Sequence, residues 1–184
     1  ALAVVLVIGA GLLLRSFWNL VSVDAGFNRS HLVTFGIVLP GSTYRTPQSS
    51  VDFITRLTSE LGSQSGIQSV AGMSGLPPVR LVNANDTDFE GYTAPKEGPF
   101  ENVDYYQTIT LDYLKTMGIP MLEGRDFALT DTTGAPVVLV NETLAKTFYK
   151  NQSPGGKRLK PGFRDQTPWF TIAGVVRDVK QGGV

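Results

Sequence analysis

Residues 32–76 read LVTFGIVLPGSTYRTPQSSVDFITRLTSELGSQSGIQSVAGMSGL, and this stretch decides the fold class. Val33, Phe35, Ile37 and Leu39 alternate, which places them on one face of a strand over Leu32 to Leu39. Pro40-Gly41 ends it. Thr46-Pro47 starts a helix, with Thr as N-cap and Pro at the first helical position. Val51, Ile54, Leu57 and Leu61 form its apolar stripe and Gly62 its stop. Ile67 to Leu76 reads as a second strand, closed by Pro77-Pro78. A strand–helix–strand unit favours parallel pairing of its two strands.

Upstream, Ala1 to Leu14 reads ALAVVLVIGAGLLL, without a charge or a strongly polar side chain. As a helix this run spans about 21 Å, short of the roughly 30 Å of a hydrocarbon core. The first residue is not Met, so the segment is expected to continue upstream. Arg15, Phe17 and Trp18 follow, the composition of a membrane-interface belt rather than of a signal-peptide cleavage site. Residues 1–22 are therefore expected to be a transmembrane helix, truncated at its N-terminus. One Arg beside a missing flank leaves the orientation open.

Downstream, Asp86 to Tyr92 alternates like an edge strand, and Phe100 to Thr108 reads as another. A short helix over Leu111 to Met117 stops at Gly118. Pro136 to Val140 is a buried-type strand, and Asn141 caps a helix carrying Leu144, Ala145, Phe148 and Tyr149. Ser153 to Gly156 is a turn, Lys157 to Lys160 a short strand, and Trp169 to Val179 a long one.

Of 184 residues, 42% are hydrophobic and 17% charged, which demands a packed core. Sixteen basic residues balance sixteen acidic ones, so no global field attracts nucleic acid. The absence of cysteine excludes disulfides, thiol catalysis and Cys-ligated metals.

Motifs of catalysis fail individually. Gly72-Met73-Ser74-Gly75 lacks the Gly that a nucleophile elbow needs where Leu76 stands. His31 is the sole histidine, without a partner in sequence, and one His cannot build a multi-His zinc site. Gly155-Gly156-Lys157-Arg158 departs from a phosphate loop at Asn151 and Arg158 and reads as a turn. Asp86, Asp88 and Glu90 share a strand face, suited to a hard cation or, more commonly, to a solvated edge. Asp126 and Asp131 read as turn caps. The N-x-S/T triplets at Asn28, Asn85, Asn141 and Asn151 matter in a glycosylating compartment alone. No catalytic, cofactor-binding or metal-ligating residue is assigned, and no cofactor.

Several strings occur together in a characteristic order. They are GAGLLLRSFWNL (Gly9–Leu20), VDAGF (Val23–Phe27), GLPP (Gly75–Pro78) and YLKTMGIPMLEGRDF (Tyr113–Phe127). GAPVVLVNETLAKTF (Gly134–Phe148), SPGGKRL (Ser153–Leu159) and TIAGVVRDVK (Thr171–Lys180) complete them. In these strings the chain resembles the MacB/FtsX-type ABC transporter permeases, in particular the large bacterial type with duplicated membrane halves. It departs at Ser153 and Gly155, where that family favours D-P-I-G-K.

The resemblance implies an α+β fold: a transmembrane helix, then a mixed-sheet periplasmic core domain over 23–184, incomplete at its C-terminus. Residues 31–78 would form the first porter-like strand–helix–strand unit and 79–184 most of a second, mainly β lobe. It implies a permease in the bacterial inner membrane, with residues after about 22 in the periplasm, coupling ATP-driven helix motion to export, efflux or other extracytoplasmic work. Implied partners are a cytoplasmic ABC ATPase subunit, the lipid membrane, and a periplasmic adaptor or second permease half. ATPase activity would reside in a separate subunit. The alternative is a membrane-anchored binding or sensor module without transport; an anchored enzyme is disfavoured by the failed motifs.

Overall fold

The structure, a computed structural model, describes residues 2–22, 24–76, 83–92, 103–150, 152–162 and 167–180. Helix α1 (Leu2–Val21) leads, followed by α2 (Pro47–Gly62). Strands β1 (Asn83–Phe89) and β2 (Val103–Tyr106) precede α3 (Tyr113–Met117) and β3 (Met121–Gly124). A 3₁₀ turn (Leu129–Thr132) leads to β4 (Val137–Asn141). Helix α4 (Glu142–Leu144) widens into a π-helical turn (Ala145–Tyr149), and β5 (Arg158–Pro161) and β6 (Phe170–Val176) come last.

The expected capping chemistry is present. Thr46 Oγ1 accepts from the Ser49 amide at 3.2 Å, with Pro47 first in α2. Asn141 Oδ1 accepts from the Leu144 amide at 3.2 Å at the start of α4. Gly118 ends α3 at φ +63, a conformation that costs a side-chain-bearing residue about 1 kcal/mol or more.

The strands flanking α2 differ from expectation. Residues 32–40 contain no strand, and Val33 is 88% exposed. Residues 67–76 contribute one antiparallel bridge, Met73 to Ile109. Alternation fits a residue to a sheet surface, but a strand forms only where a neighbour satisfies its backbone. The β1 segment likewise is not a free edge. It pairs with β2 through Asn83↔Tyr106 to Asp86↔Val103 and with β5 through Thr87↔Pro161 to Phe89↔Leu159.

The parallel pairing lies further along the chain, between β4 and β6, from Val137↔Thr171 to Asn141↔Val176. The other edge of β6 is shared: β5 pairs antiparallel with its start and β3 with its end. β6 is thus the hub of a mixed sheet ordered β2-β1-β5-β6-β3, with β4 against β6. Cross-strand partners Gly124 and Gly174 let two backbones approach. A Cβ on Gly174 would lie 2.7 Å from the Glu123 oxygen and 2.9 Å from that of Arg125.

Alternate residues of this sheet supply two cores. Val140, Leu159, Ile172 and Val175 join Phe89 and Tyr149, and Phe148 and Leu144 of the α4 region pack on them. Leu139, Met121 and Val176 lie with Tyr113, Leu114, Met117 and Ile119 around α3, where Phe27 and Leu32 also pack. Leu159 and Ile172 are each 1% exposed and anchor the first core.

Candidate functional site: the junction between the apolar helix and the sheet

The side chains of α1 find no core. Val7, Leu13 and Trp18 are 71%, 74% and 70% exposed, and Val4, Val5, Leu6, Ile8, Leu12, Leu14 and Phe17 are exposed too. A helix apolar around its circumference needs an apolar surrounding. Among the described residues no helix is long and apolar enough to cross a membrane.

The turn after α1 is tightly held. Asp24 Oδ1 accepts from the Gly26 amide at 2.9 Å, an Asx-type turn that reverses the chain. Asp24 Oδ2 accepts from Arg177 Nη2 at 2.8 Å, one residue beyond β6. These contacts hold the Asp24 carboxyl below its usual range, the Gly26 amide acting most strongly and Arg177 next. The Lys180 amide donates to the Ala25 carbonyl at 3.0 Å. The Asn28 amide donates to the Met117 carbonyl at 2.8 Å, the last residue of α3.

Gly26 is the tightest point. It is buried at φ +81, and a Cβ there would stand 2.0 Å from the Asp178 carbonyl oxygen. Asp178 extends the junction into the sheet. Its Oδ1 accepts from Asn141 Nδ2 at 2.7 Å and from the Thr143 amide at 3.0 Å. Its Oδ2 accepts from Thr143 Oγ1 at 2.6 Å. One segment thus ties the end of α1 to β6, α3 and the start of α4. Asp24, Gly26, Glu142, Arg177, Asp178 and Lys180 line a cleft of about 370 Å³ there. Paired charges and satisfied amides suit mechanical fixation.

The residues weighed in sequence take local roles. Ser74 Oγ accepts from the Thr108 amide at 3.1 Å, beside the Met73–Ile109 bridge. His31 is exposed in a turn at φ +61. Gly156, at φ +77, donates to the Ile172 carbonyl, so Gly155-Gly156-Lys157 is a turn feeding β5. Asp88 pairs with Lys160 at 3.2 Å and Glu90 with Arg158, so these carboxylates serve cross-strand ion pairs. Among the described residues no group of three or more His, Asp and Glu could hold a metal ion. Asp126 accepts from the Phe127 amide, and Asp131 from Arg125 at 2.7 and 2.8 Å and from the Ala128 amide. Arg125, and then the Ala128 amide, pull the Asp131 carboxyl down to about 2. Asn28 caps its own turn through the Ser30 amide, and Asn151 lies outside the described residues. The Asp-x-Gly pattern at Asp24 to Gly26 marks a turn in the sequence, but its partners on the far side of the junction lie too distant in the chain to be read there.

Comparison with known proteins agrees with this architecture. The family model of the MacB-like periplasmic core domain matches residues 1–184. The crystal structure of the periplasmic region of MacB from Actinobacillus actinomycetemcomitans is similar, with 21% identity and a TM-score of 0.51. That match covers 70% of this chain and 52% of the other. The extracellular domain of the noncanonic ABC-type transporter YknZ from Gram-positive bacteria matches with 16% identity and a TM-score of 0.48. It covers 68% of this chain and 58% of that one. The chain spans a little over half the length of these solved structures, and at 21% identity the likeness to the MacB region concerns the fold. No curated protein sequence matches.

Proposed function

The chain belongs to the MacB-like periplasmic core domain family, and on that premise we propose that it is the part of an ABC transporter permease that carries membrane-helix motion into an extracytoplasmic domain. In this reading α1 is the outer portion of a membrane helix in the bacterial inner membrane. Residues after about 22 lie in the periplasm. Residues 31–78 belong to a porter-like lobe and 79–184 mainly to a second, β-rich one. A separate cytoplasmic ATPase subunit supplies the energy, and the domain itself is non-catalytic.

The observation that carries the proposal is the junction. A displaced α1 would move a short, doubly bonded turn anchored to the central strand. Gly26 is packed so closely on Asp178 that the turn has little room to yield independently. Transmission requires an element that both ends can bias, and in this reading β6 with its attached turn takes that part. The bare apolar surface of α1 supports the membrane placement, because water would penalise it by about 25 cal/mol per Å² exposed.

The test uses the full-length permease in nanodiscs, with Trp169→Phe leaving Trp18 as this chain's fluorophore. Lipids brominated high on the acyl chain should quench Trp18 strongly. The same particles should raise the ATP turnover of the cognate ATPase subunit. An unquenched Trp18, or an ATPase indifferent to the permease, would sink the proposal.

A further inference from the structure

A second cleft, about 360 Å³ in volume, opens at the far end of α4 from the junction. That size lies within the range of small-molecule sites. Among the described residues its walls include Tyr92, Phe148, Tyr149, Lys150, Gln152 and Lys157. It is unrelated to the ion pairs and caps already assigned, apart from Glu90 at its rim, which Arg158 engages.

Three features distinguish it from a surface crevice. The chain reaches it through a π-helical turn, Ala145–Tyr149, and leaves at Lys150 with φ +48 and ψ −107. Backbone of both kinds concentrates at functional sites because nothing in ordinary packing requires it. Second, Tyr149 is 7% exposed, yet its hydroxyl lacks a hydrogen-bond partner among the described residues. A buried hydroxyl without a partner costs about 1–3 kcal/mol, so core packing alone does not account for a tyrosine at this position. Third, Lys157 Nζ sits 5.6 Å from the centroid of the Tyr149 ring and donates to Gln152 Oε1 at 2.9 Å. Among the described residues no carboxylate forms an ion pair with Lys150 or Lys157, though Glu90, Asp88 and Glu142 each hold another cation.

An aromatic floor completes the site. Phe148 stacks on Phe89 with ring centroids 3.9 Å apart, and Tyr92 meets Phe148 edge-on at 5.2 Å. The walls therefore offer two cations, a carboxylate, Glu90, already held by Arg158, and flat apolar surface. We propose that this cleft binds an organic anion with an apolar body, of the aryl- or acyl-carboxylate class. The carboxylate meets Lys157 and Lys150, and the apolar part lies on Tyr92 and Phe148. A cation would be repelled by the two lysines.

The experiment is binding of naphthalene-2-carboxylate to the full-length permease in nanodiscs, followed by saturation-transfer NMR without ATP or the ATPase subunit. This readout is independent of the transport proposal. Empty nanodiscs supply the lipid background, and naphthalene-2-carboxamide supplies the same rings without charge. We expect saturable binding of the carboxylate, weakened about tenfold by Lys157→Gln and unchanged by Tyr149→Phe. Tyr149→Phe removes a sealed hydroxyl without a partner, so it keeps the fold and serves as the control for substitution near the cleft. Octanoate competing for the same signal would extend the site to acyl chains; failure to compete restricts it to aryl carboxylates. Equal binding of carboxamide and carboxylate, binding unchanged by Lys157→Gln, or no signal above the nanodisc background would each overturn the proposal.

Discussion

Replacing Gly26 by Ala puts one methyl group at the point where the turn after α1 meets the end of β6. The added Cβ would stand 2.0 Å from the Asp178 oxygen, 3.0 Å from its carbon and 3.1 Å from Val179 Cα. An ordinary carbon–oxygen contact is over an ångström longer than the first of these, and both partners are backbone, so no side chain can swing aside. Two costs add. The left-handed backbone at φ +81 costs an alanine about 1 kcal/mol, and forced overpacking costs about 1–3 kcal/mol more. The expected loss is about 3 kcal/mol, concentrated at the junction. Gly156→Ala is the matched control, because φ is +77 there and no atom lies within 4 Å of the added methyl. It should cost about 1 kcal/mol. Hydrogen exchange of the Lys180 and Asn28 amides, which close the junction, reads the difference locally. Gly26→Ala should accelerate them by about two decades if opening tracks the full loss, and Gly156→Ala hardly at all. Equal effects of the two alanines would refute the packing argument and leave the backbone conformation as the whole cause.

Ile172→Ala should lower stability by about 3 kcal/mol in thermal unfolding, since it leaves a void in the core between β6 and α4. Tyr149→Phe should leave the melting temperature unchanged or raise it by a few degrees, because it deletes a buried hydroxyl without a partner. Asp131 has a carboxyl depressed to about 2 when folded, against about 4 when unfolded. Its contribution is therefore present above about pH 4 and lost as the pH falls through about 2; Asp131→Asn should flatten that part of a melting-temperature profile.

The parts of this fold that were legible in the sequence rest on short-range chemistry. Thr46-Pro47 opens a helix, Gly118 closes one and Asn141 caps one, because the partners lie within four residues. The strand Val137–Asn141, half-buried with Val140 in the core, was visible for a related reason: a strand that reaches a core on each face reads as a continuous apolar run. Residues 32–40 show the limit. Their alternation describes a surface suited to a sheet, but pairing depends on distant chain that a local pattern does not contain. The turn at Ala145–Tyr149 was hidden too, since the apolar spacing of Leu144, Ala145, Phe148 and Tyr149 fits an α-helix equally well. The junction was least legible. Asp24 and Arg177 stand 153 positions apart, and nothing near Gly26 announces that its Cα rests on a carbonyl.

The central claim is that the Asp24–Arg177 junction carries motion between α1 and the sheet, and a charge swap tests it most directly. In the full-length permease with its ATPase subunit in nanodiscs, Asp24→Arg and Arg177→Asp should each abolish permease-dependent stimulation of ATP turnover. The double swap should restore a substantial part of it. Full stimulation in both single variants would contradict the account, as would a double swap no better than either.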